Sequence, residues 1–218
     1  FNNLDEINSF IKEHELPVII KAASGGGGKG IRKVYEIKKL EESIDAAKIE
    51  SKKSFNDDTI YIEKLFKHPK HIEIQIIADQ YGNVLTLGER DCSIQRNHQK
   101  LIEECPSIIL NENQRYEISE ICKKAVKSIN YKGVGTLEFL YENEKFYFME
   151  MNTRLQVEHP VTEMVTGIDL VKQQLFVANR EEIKIIQENI KMKGHAIECR
   201  INAEHPETFI PSPGTITQ

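Results

Sequence analysis

Apolar and polar positions alternate along much of the chain, and four stretches instead repeat their apolar residues at helical spacing. The alternation predicts strands, and the helical spacing predicts helices. The predicted strands span residues 18–21, 31–34, 59–65, 72–78, 84–88, 133–141, 146–149 and 194–202. The predicted helices span residues 3–15, 37–52, 112–129 and 169–178, and the polar stretch 89–99 is predicted to be a loop. Short turns between the strands favour an α+β fold with a mainly antiparallel sheet.

The strongest indication of function follows the segment 146–149, which is apolar at every position and predicts a strand buried on both faces. Polar residues then recur at every second position. They are Glu150, Asn152, Arg154, Gln156 and Glu158. In an extended chain these side chains would project from one side, and such a series costs free energy after a buried strand unless something binds it. An ordinary surface strand is the alternative, but it would not concentrate this chemistry.

The preceding strand adds a second carboxylate to this series. A turn centred near Asn143 and Glu144 would set Glu138 almost directly across from Glu150. Two facing carboxylates repel each other unless a cation lies between them, and hard oxygen ligands suit Mg²⁺. With Asn152 beside them, the pair predicts a magnesium site; an exposed acidic pair is the alternative.

The segment from Ser24 to Gly30 contains four consecutive glycines and matches G-x-G-x-x-G. A dinucleotide site requires a helix directly after the glycines, whereas residues 31–34 read as extended. The segment is not a Walker A loop either, because Lys29 is followed by Gly30. We therefore expect a glycine hairpin whose backbone N–H groups close over phosphates, with a flexible linker as the alternative.

Composition excludes several classes of protein. The 29 basic and 34 acidic residues give a formal charge of −5 without a basic run, which argues against a nucleic-acid partner. No apolar stretch approaches the roughly 20 residues of a membrane span, and the first residues do not resemble a signal peptide. The four cysteines contain no C-x-x-C pair, which predicts neither a zinc site nor a disulfide framework and favours a reducing compartment.

The run EMNTRLQVEHPVTE at residues 150–163 resembles the biotin carboxylase signature of the ATP-grasp superfamily. The resemblance extends over nearly the whole chain, in order and without apparent insertion. It includes VIIK at 18–21 with the glycine loop, HIEIQ at 71–75, ERDCS at 89–93, QRNHQK at 95–100, GTLEF at 135–139, HAIECRINA at 195–203 and PSPG at 211–214. It implies an ATP-grasp fold with a small glycine-loop lid subdomain, residues 1–67, and an incomplete antiparallel catalytic lobe, residues 68–218. Biotin carboxylases have a further domain upstream and a further lobe downstream.

The resemblance implies a set of ATP-binding residues. Lys21 would contact the phosphates, and the segment 63–66 would hold the adenine, with Glu63 accepting from its amino group. The whole implied set is Lys21, Gly27, Gly28, Glu63, Lys64, Leu65, Phe66, His71, Gln95, His98, Glu138 and Glu150. Glu63 could equally be a solvent-facing strand residue, and a metal pair of His68 and His71 lacks an evident third ligand.

The resemblance also implies the reaction, in which ATP phosphorylates bicarbonate and the resulting carboxyphosphate supplies CO₂ to biotin. Glu138, Glu150 and Asn152 would hold Mg²⁺ or Mn²⁺. Lys100, Arg154, Gln156 and the backbone N–H of Val157 would bind bicarbonate, and Glu158 would be the general base. Arg200 would stabilise negative charge on the ureido oxygen of biotin. An ordinary salt bridge of Arg200 with Glu198 or Glu204 is the alternative.

The implied partners are bicarbonate, a biotinyl carrier protein or domain, a carboxyltransferase component and a second copy of the protein in a homodimer. The compartment would be the cytoplasm, or the mitochondrial or plastid matrix if a transit peptide precedes the chain. The final acceptor (acetyl-CoA, propionyl-CoA or pyruvate) stays open. Two rival functions remain, a carbamoyl-phosphate-synthetase-like ligase and a nucleotide-binding excerpt that is inactive by itself.

Overall fold

The computed structural model describes residues 4–24, 31–97 and 99–215, and the chain divides into two units, Phe1–His68 and Pro69–Gln218. Gly27, Gly28 and His98, three of the predicted site residues, lie outside the described residues. Among the described residues, no helix is both long and apolar enough to cross a membrane.

The first unit is a three-stranded antiparallel sheet with two helices. Its elements are α1 (Leu4–His14), β1 (Val18–Ala22), β2 (Arg32–Val34), a 3-10 turn (Ile37–Lys39), α2 (Leu40–Phe55) and β3 (Ile60–Lys64). The strand order is β2-β1-β3. In the core, the apolar faces of α1 and α2, which include Ile44, pack on alternate residues of β1 and β3, among them Val18, Ile20, Ile60 and Ile62. Because β2 follows the glycine segment, a strand and not a helix comes after the glycines, as predicted.

The second unit is built on a six-stranded antiparallel sheet. Its elements are β4 (Lys70–Ala78), β5 (Val84–Arg96), β6 (Gln99–Cys105), α3 (Glu112–Ser128), β7 (Gly133–Glu142), β8 (Lys145–Asn152), α4 (His159–Thr166), α5 (Leu170–Ala178), a 3-10 turn (Gln187–Asn189) and β9 (Ala196–Cys199). The strand order is β8-β7-β4-β5-β6-β9. The fold is therefore α+β, as the sequence predicts.

Helices cover the two faces of this sheet. Ile74 and Ile76 of β4 pack with Ile118 and Val126 of α3 in one core. On the other side, Ile77 of β4, with Leu85 and Leu87 of β5, packs with Leu170 and Val177 of α5. Burying one such aliphatic side chain stabilises a fold by about 1.5–3 kcal/mol, so the two cores fix β4 and β5 rigidly in the sheet.

The predicted loop at residues 89–99 is wrong. Strand β5 continues to Arg96, and β6 begins at Gln99. The polar residues in the middle of β5 are buried because they have partners: Arg90 contacts Glu73, and Glu89 accepts a hydrogen bond from Arg115 at 2.8 Å. A charged residue with a partner can lie inside a sheet, and the pattern of apolar residues does not reveal such a pair.

Two other sequence predictions need correction. Strand β8 is an edge strand, and Phe148 is 61% exposed, so residues 146–149 are not buried on both faces. The strand predicted at 194–202 is restricted to Ala196–Cys199, so Arg200 lies just after it. Helix α4 was not predicted; it is only eight residues long and has a proline in its first turn.

Candidate active site

A cleft of about 600 Å³ lies in the second unit and collects side chains from most strands of the sheet. Every predicted site residue of this unit that the structure describes lines it. These are His71, Gln95, Lys100, Glu138, Glu150, Asn152, Arg154, Gln156, Val157, Glu158 and Arg200. Gln99, Met149 and Asn202 also line the cleft and were not predicted.

The predicted pairing of Glu138 with Glu150 is confirmed, because they are direct partners across β7 and β8. The register shifts at the next position, where Phe139 pairs with Phe148, so Met149 forms a bulge. Phe148 and Glu150 would share one face of a regular strand. The bulge allows Phe148 to contact the Phe139 ring at 5.9 Å while Glu150 turns toward the cleft.

The extended series after Glu150 is only partly as predicted. Strand β8 ends at Asn152, and residues 153–158 form an irregular segment that leads into α4. Arg154, Gln156 and Glu158 nevertheless line the same cleft, because the segment turns back over the sheet and Gln156 donates to Glu138 at 2.8 Å.

Glu138 is a buried carboxylate with several donors. One oxygen accepts from Lys100 at 2.8 Å and from the Asn152 amide at 3.0 Å, and the other lies 3.2 Å from Nε2 of His71. Burial alone would raise the pKa of Glu138, but contacts with His71, Lys100 and Gln156 outweigh it and hold the pKa well below its usual range. Glu138 therefore stays ionised at neutral pH.

Lys100 is surrounded by three carboxylates. Its ammonium donates to Glu73 at 2.6 Å, Glu138 at 2.8 Å and Glu158 at 2.6 Å. Burial would lower the pKa of Lys100, but these carboxylates, led by Glu73, raise it above its ordinary value. The group is a fixed positive charge at the centre of the cleft.

Glu158 lies between two cations. One of its oxygens accepts from Lys100, and the other accepts from Arg200 at 2.8 Å. Arg200 also donates to Glu103 at 2.7 Å. The alternative pairing of Arg200 with Glu198 or Glu204 is therefore wrong: Arg200 bonds Glu103 and Glu158, and Glu204 pairs with Arg96.

Two buried acids of this site were missed by the sequence analysis, Glu73 and Glu103. The pKa of Glu73 is lowered, because Arg90 and Lys100 outweigh the effect of its burial. The pKa of Glu103 is raised, mainly by burial. Polar residues and isoleucines alternate along residues 71–76, so that Glu73 shares a face with His71 and Gln75. This alternation is the signal that could have identified Glu73.

The donor set of Glu138, Glu150 and Asn152 fits Mg²⁺ or Mn²⁺. The three residues carry carboxylate and amide oxygens, the ligands these ions prefer. They lie close together, because the amide nitrogen of Asn152 donates to Glu138 at 3.0 Å and to Glu150 at 3.4 Å. His71, Glu73 and Glu138 also come close enough to share a cation. His71 contacts Gln95 at 3.0 Å and Glu138 at 3.2 Å.

The predicted residues of the first unit that the structure describes lie on β1 and β3 and directly after β3. Lys21 forms a salt bridge with Glu63, diagonally across the antiparallel pair, so the half-buried lysine has a carboxylate partner within the unit. Lys64 donates to the carbonyls of His14 and Glu15, and the backbone N–H of Leu65 donates to Pro17 at 3.0 Å. The end of β3 is thus anchored where Phe66 follows.

Comparison with known proteins assigns the chain to a family. The sequence profile described as "Carbamoyl-phosphate synthase L chain, ATP binding domain" matches residues 1–186. The chain belongs to this family. The curated relatives of the chain include biotin carboxylases, as the resemblance implies, and the likeness to solved biotin carboxylase structures confirms the α+β ATP-grasp fold.

Biotin carboxylase of Allochromatium vinosum is 56% identical over 206 residues, which cover 94% of this chain and 46% of that protein. Among solved structures, the biotin carboxylase–β,γ-ATP complex of Campylobacter jejuni is 54% identical, with a TM-score of 0.82 over 95% of this chain and 47% of that one. The biotin carboxylase domain dimer of Hydrogenobacter thermophilus 2-oxoglutarate carboxylase, in complex with MgADP, ADP and bicarbonate, is 47% identical, with a TM-score of 0.82 over 96% and 47%. The chain spans about half the length of the curated relatives it matches.

Proposed function

We propose that the protein to which this chain belongs is a biotin carboxylase, which uses ATP, Mg²⁺ and bicarbonate to carboxylate biotin on a carrier protein. The observation that carries the proposal is Glu158, a carboxylate held between Lys100 and Arg200 in a cleft that also contains Arg154 and the Glu138–Glu150 pair. The identity of about half of all residues to known biotin carboxylases supports it.

ATP would bind with its phosphates near Lys21 and the glycine segment that includes Gly27 and Gly28. The segment from Glu63 through Lys64 and Leu65 to Phe66 would hold the adenine. His71, Gln95 and His98 would contact the ribose and phosphates. On this proposal the first unit is the lid subdomain and the second is the front of the catalytic lobe.

Glu138, Glu150 and Asn152 would hold Mg²⁺ or Mn²⁺, which would neutralise charge on the phosphoryl group in transfer. Asn152 and Gln156 each donate to Glu138, and Lys100 contacts the same oxygen. These donors fix the orientation of the Glu138 carboxylate, and therefore also the direction of the lone pairs that would bind the metal ion.

Bicarbonate would lie between Arg154, Gln156, the N–H of Val157 and Lys100, because a guanidinium fork and an ammonium together match a planar oxyanion. Glu158 would take the proton of bicarbonate, and the freed oxygen would attack the γ-phosphorus of ATP, releasing ADP and forming carboxyphosphate. Carboxyphosphate then breaks into CO₂ and phosphate.

Biotin would enter beside Arg200. Phosphate would take the proton of the ureido nitrogen, which attacks CO₂, and Arg200 would stabilise the negative charge on the ureido oxygen. Arg200 suits this role because Glu103 and Glu158 fix its guanidinium from two sides before any substrate binds. The partners would be a biotinyl carrier, a carboxyltransferase and a second copy of the protein, in the cytoplasm or an organelle matrix.

The test is ATP hydrolysis by the full-length protein with and without bicarbonate and free biotin, compared with an Arg200→Ala variant. We expect phosphate release to depend on bicarbonate and to rise with biotin. The variant should lose the stimulation by biotin while it still binds Mg-ATP. Turnover that ignores biotin would overturn the proposal.

A second candidate is a carbamoyl-phosphate-type ligase, which the family's description favours. It also activates bicarbonate but passes the carboxyl group to ammonia. Stimulation by ammonia in place of biotin, in the same assay, would select this function. An excerpt that only binds nucleotide would show no turnover as the isolated chain although the full-length protein is active.

A further inference from the structure

The guanidinium of Arg90 is fully buried in the second unit and connects four elements of it. From β5 it donates to Glu73 at 2.5 Å and Gln75 at 2.7 Å on β4, to Thr136 at 3.3 Å on β7, and to Thr162 at 2.9 Å on α4. Arg90 is neither among the site residues that the family resemblance implies nor part of the mechanism proposed above.

One branch of this network leads to Lys100. Glu73 is fully buried, and its two oxygens have different partners: Oε1 accepts from Arg90, and Oε2 accepts from Lys100 at 2.6 Å. The position of the Lys100 ammonium in the cleft therefore depends on the position of Arg90, because the Glu73 carboxylate binds both. Gln75 is fixed in turn, because its amide donates to the carbonyl of Gly135 at 2.9 Å.

The other branch leads to Glu158. Thr162 is fully buried on α4, one helical turn beyond Glu158, which is the N-cap residue of that helix. The bond from Arg90 to the Thr162 hydroxyl ties the beginning of α4 to the sheet. Lys100 and Glu158, which meet at 2.6 Å, are thus both attached to the same guanidinium by separate routes.

We infer that Arg90 is a positioning residue, which fixes the separation and orientation of Lys100 and Glu158 for the handling of bicarbonate. The inference rests on the proposed function, and it deepens that function by adding residues that touch no substrate. A buried charge is a poor device for stability alone, since an apolar side chain of similar volume often serves as well or better. The planar guanidinium of Arg90 instead donates to four acceptors on three neighbouring elements, which fixes the positions of these elements relative to one another.

The sharpest test leaves Arg90 itself in place, because its removal would strand Glu73 in the core. Thr162→Val keeps the volume of the side chain and removes only the hydroxyl, and Thr162→Ser restores the hydroxyl. Thr166→Val is the matched control: its hydroxyl is on the same helix but donates to the carbonyl of Thr162 at 2.7 Å and does not contact Arg90. Each variant is made in the full-length protein.

The measurements are the KM values for bicarbonate and Mg-ATP, kcat, the affinity for ADP by calorimetry, and the thermal midpoint. We expect Thr162→Val to lower kcat/KM for bicarbonate about tenfold, because a small misplacement of reacting groups has a large effect on rate. The KM for Mg-ATP and the ADP affinity should not change. Thr162→Ser and Thr166→Val should resemble the unsubstituted protein.

Three results would overturn the inference: equal kinetics for Thr162→Val and Thr166→Val, no rescue by Thr162→Ser, or an equal loss toward bicarbonate and Mg-ATP. If Thr162→Val does not fold, Thr136→Val is used in its place, because it removes the other hydroxyl that accepts from Arg90. An unsubstituted protein without bicarbonate-dependent turnover would instead refute the proposed function, and this inference with it.

Discussion

The ammonium of Lys100 lies 2.6 Å from a carboxylate oxygen of Glu158, and it also contacts Glu73 and Glu138. Three carboxylates around one ammonium would have a net charge of −2, and Arg90 and Arg200, which bind Glu73 and Glu158, offset this charge. The arrangement makes Lys100 a residue on which both stability and chemistry depend.

We predict that Lys100→Met destabilises the protein strongly. Removing one partner of a buried ion pair costs about 3–5 kcal/mol, because the remaining charges are left uncompensated. The matched control is Lys184→Met, which removes an exposed lysine paired with Glu182 and should have little effect. Urea unfolding at pH 7 measures both variants, and equal midpoints would show that the carboxylates do not depend on Lys100.

Glu158→Gln tests the proposed general base. The amide keeps the shape of the side chain but cannot take a proton, so we expect kcat to fall by about 10²–10⁴ while ADP still binds. The control is Glu198→Gln, a carboxylate on β9 that gives Arg200 no hydrogen bond. Steady-state phosphate release measures the effect, and an active Glu158→Gln enzyme would move the role of base to another residue.

The closeness of Glu138 and Glu150 could be predicted from the sequence because a local turn brings their strands together, one residue out of register. Asn143 and Glu144 both adopt positive φ in a two-residue turn, and the strands pair from Glu142 and Lys145 onward. Counting from this turn sets Glu138 opposite Met149, and the bulge at Met149 then shifts the register by one residue and brings Glu150 opposite Glu138. The bulge at Met149 could not be predicted, since two apolar neighbours give no sign of which one leaves the ladder.

Arg90 and Glu103 could not be assigned from the sequence, because their burial depends on partners from strands that are distant in the sequence. A charged residue in a strand reads as a surface position unless its counterion is known. Arg90 and Glu73 are 17 positions apart, and Arg200 and Glu103 are 97 apart. The site residues that the resemblance implies could be named because the motif itself is informative, independently of burial.

Asp79 should contribute a pH-dependent part of the stability. Its carboxylate accepts from the backbone N–H groups of Tyr81, Asn83 and Ile183 at 2.8–3.0 Å. Burial would raise the pKa of Asp79, but these bonds and the Asn83 amide outweigh it and lower the pKa. The stabilisation is therefore present above the unfolded-state pKa of about 3.9 and is lost as pH falls through the native pKa.

We accordingly expect Asp79→Asn to destabilise the protein by about 1–3 kcal/mol at pH 7, because an amide donor then faces backbone donors. The difference from the unsubstituted protein should begin to shrink below about pH 4, where Asp79 becomes protonated in the unfolded chain, and should keep shrinking until Asp79 is protonated in the native protein as well. Urea unfolding at pH 7 and pH 3 measures this, with Asp58→Asn, an exposed residue, as the control. A difference that is independent of pH would contradict the lowered pKa.

Helix α3 begins with a capping box. The Asn111 side chain accepts a hydrogen bond from the backbone N–H of Gln114 at 3.0 Å, and the Gln114 side-chain oxygen accepts one from the backbone N–H of Asn111 at 3.0 Å. The Gln114 amide also donates to the Tyr141 hydroxyl at 2.8 Å, so the cap joins α3 to β7. We predict that Asn111→Ala lowers the free energy of unfolding by about 1 kcal/mol. Asn111→Ser should keep most of it, because serine also caps helices.

Gln114→Ala should lower the free energy of unfolding by more than the loss of a capping-box residue usually does, because it removes both the hydrogen bond from the Asn111 N–H and the hydrogen bond to Tyr141. The double variant Asn111→Ala/Gln114→Ala should be less destabilised than the sum of the single variants, because each side-chain bond holds the backbone in the geometry that the other bond needs. Urea unfolding of the four proteins measures the coupling. Strict additivity would show that the two hydrogen bonds form independently and that the box does not act as a unit.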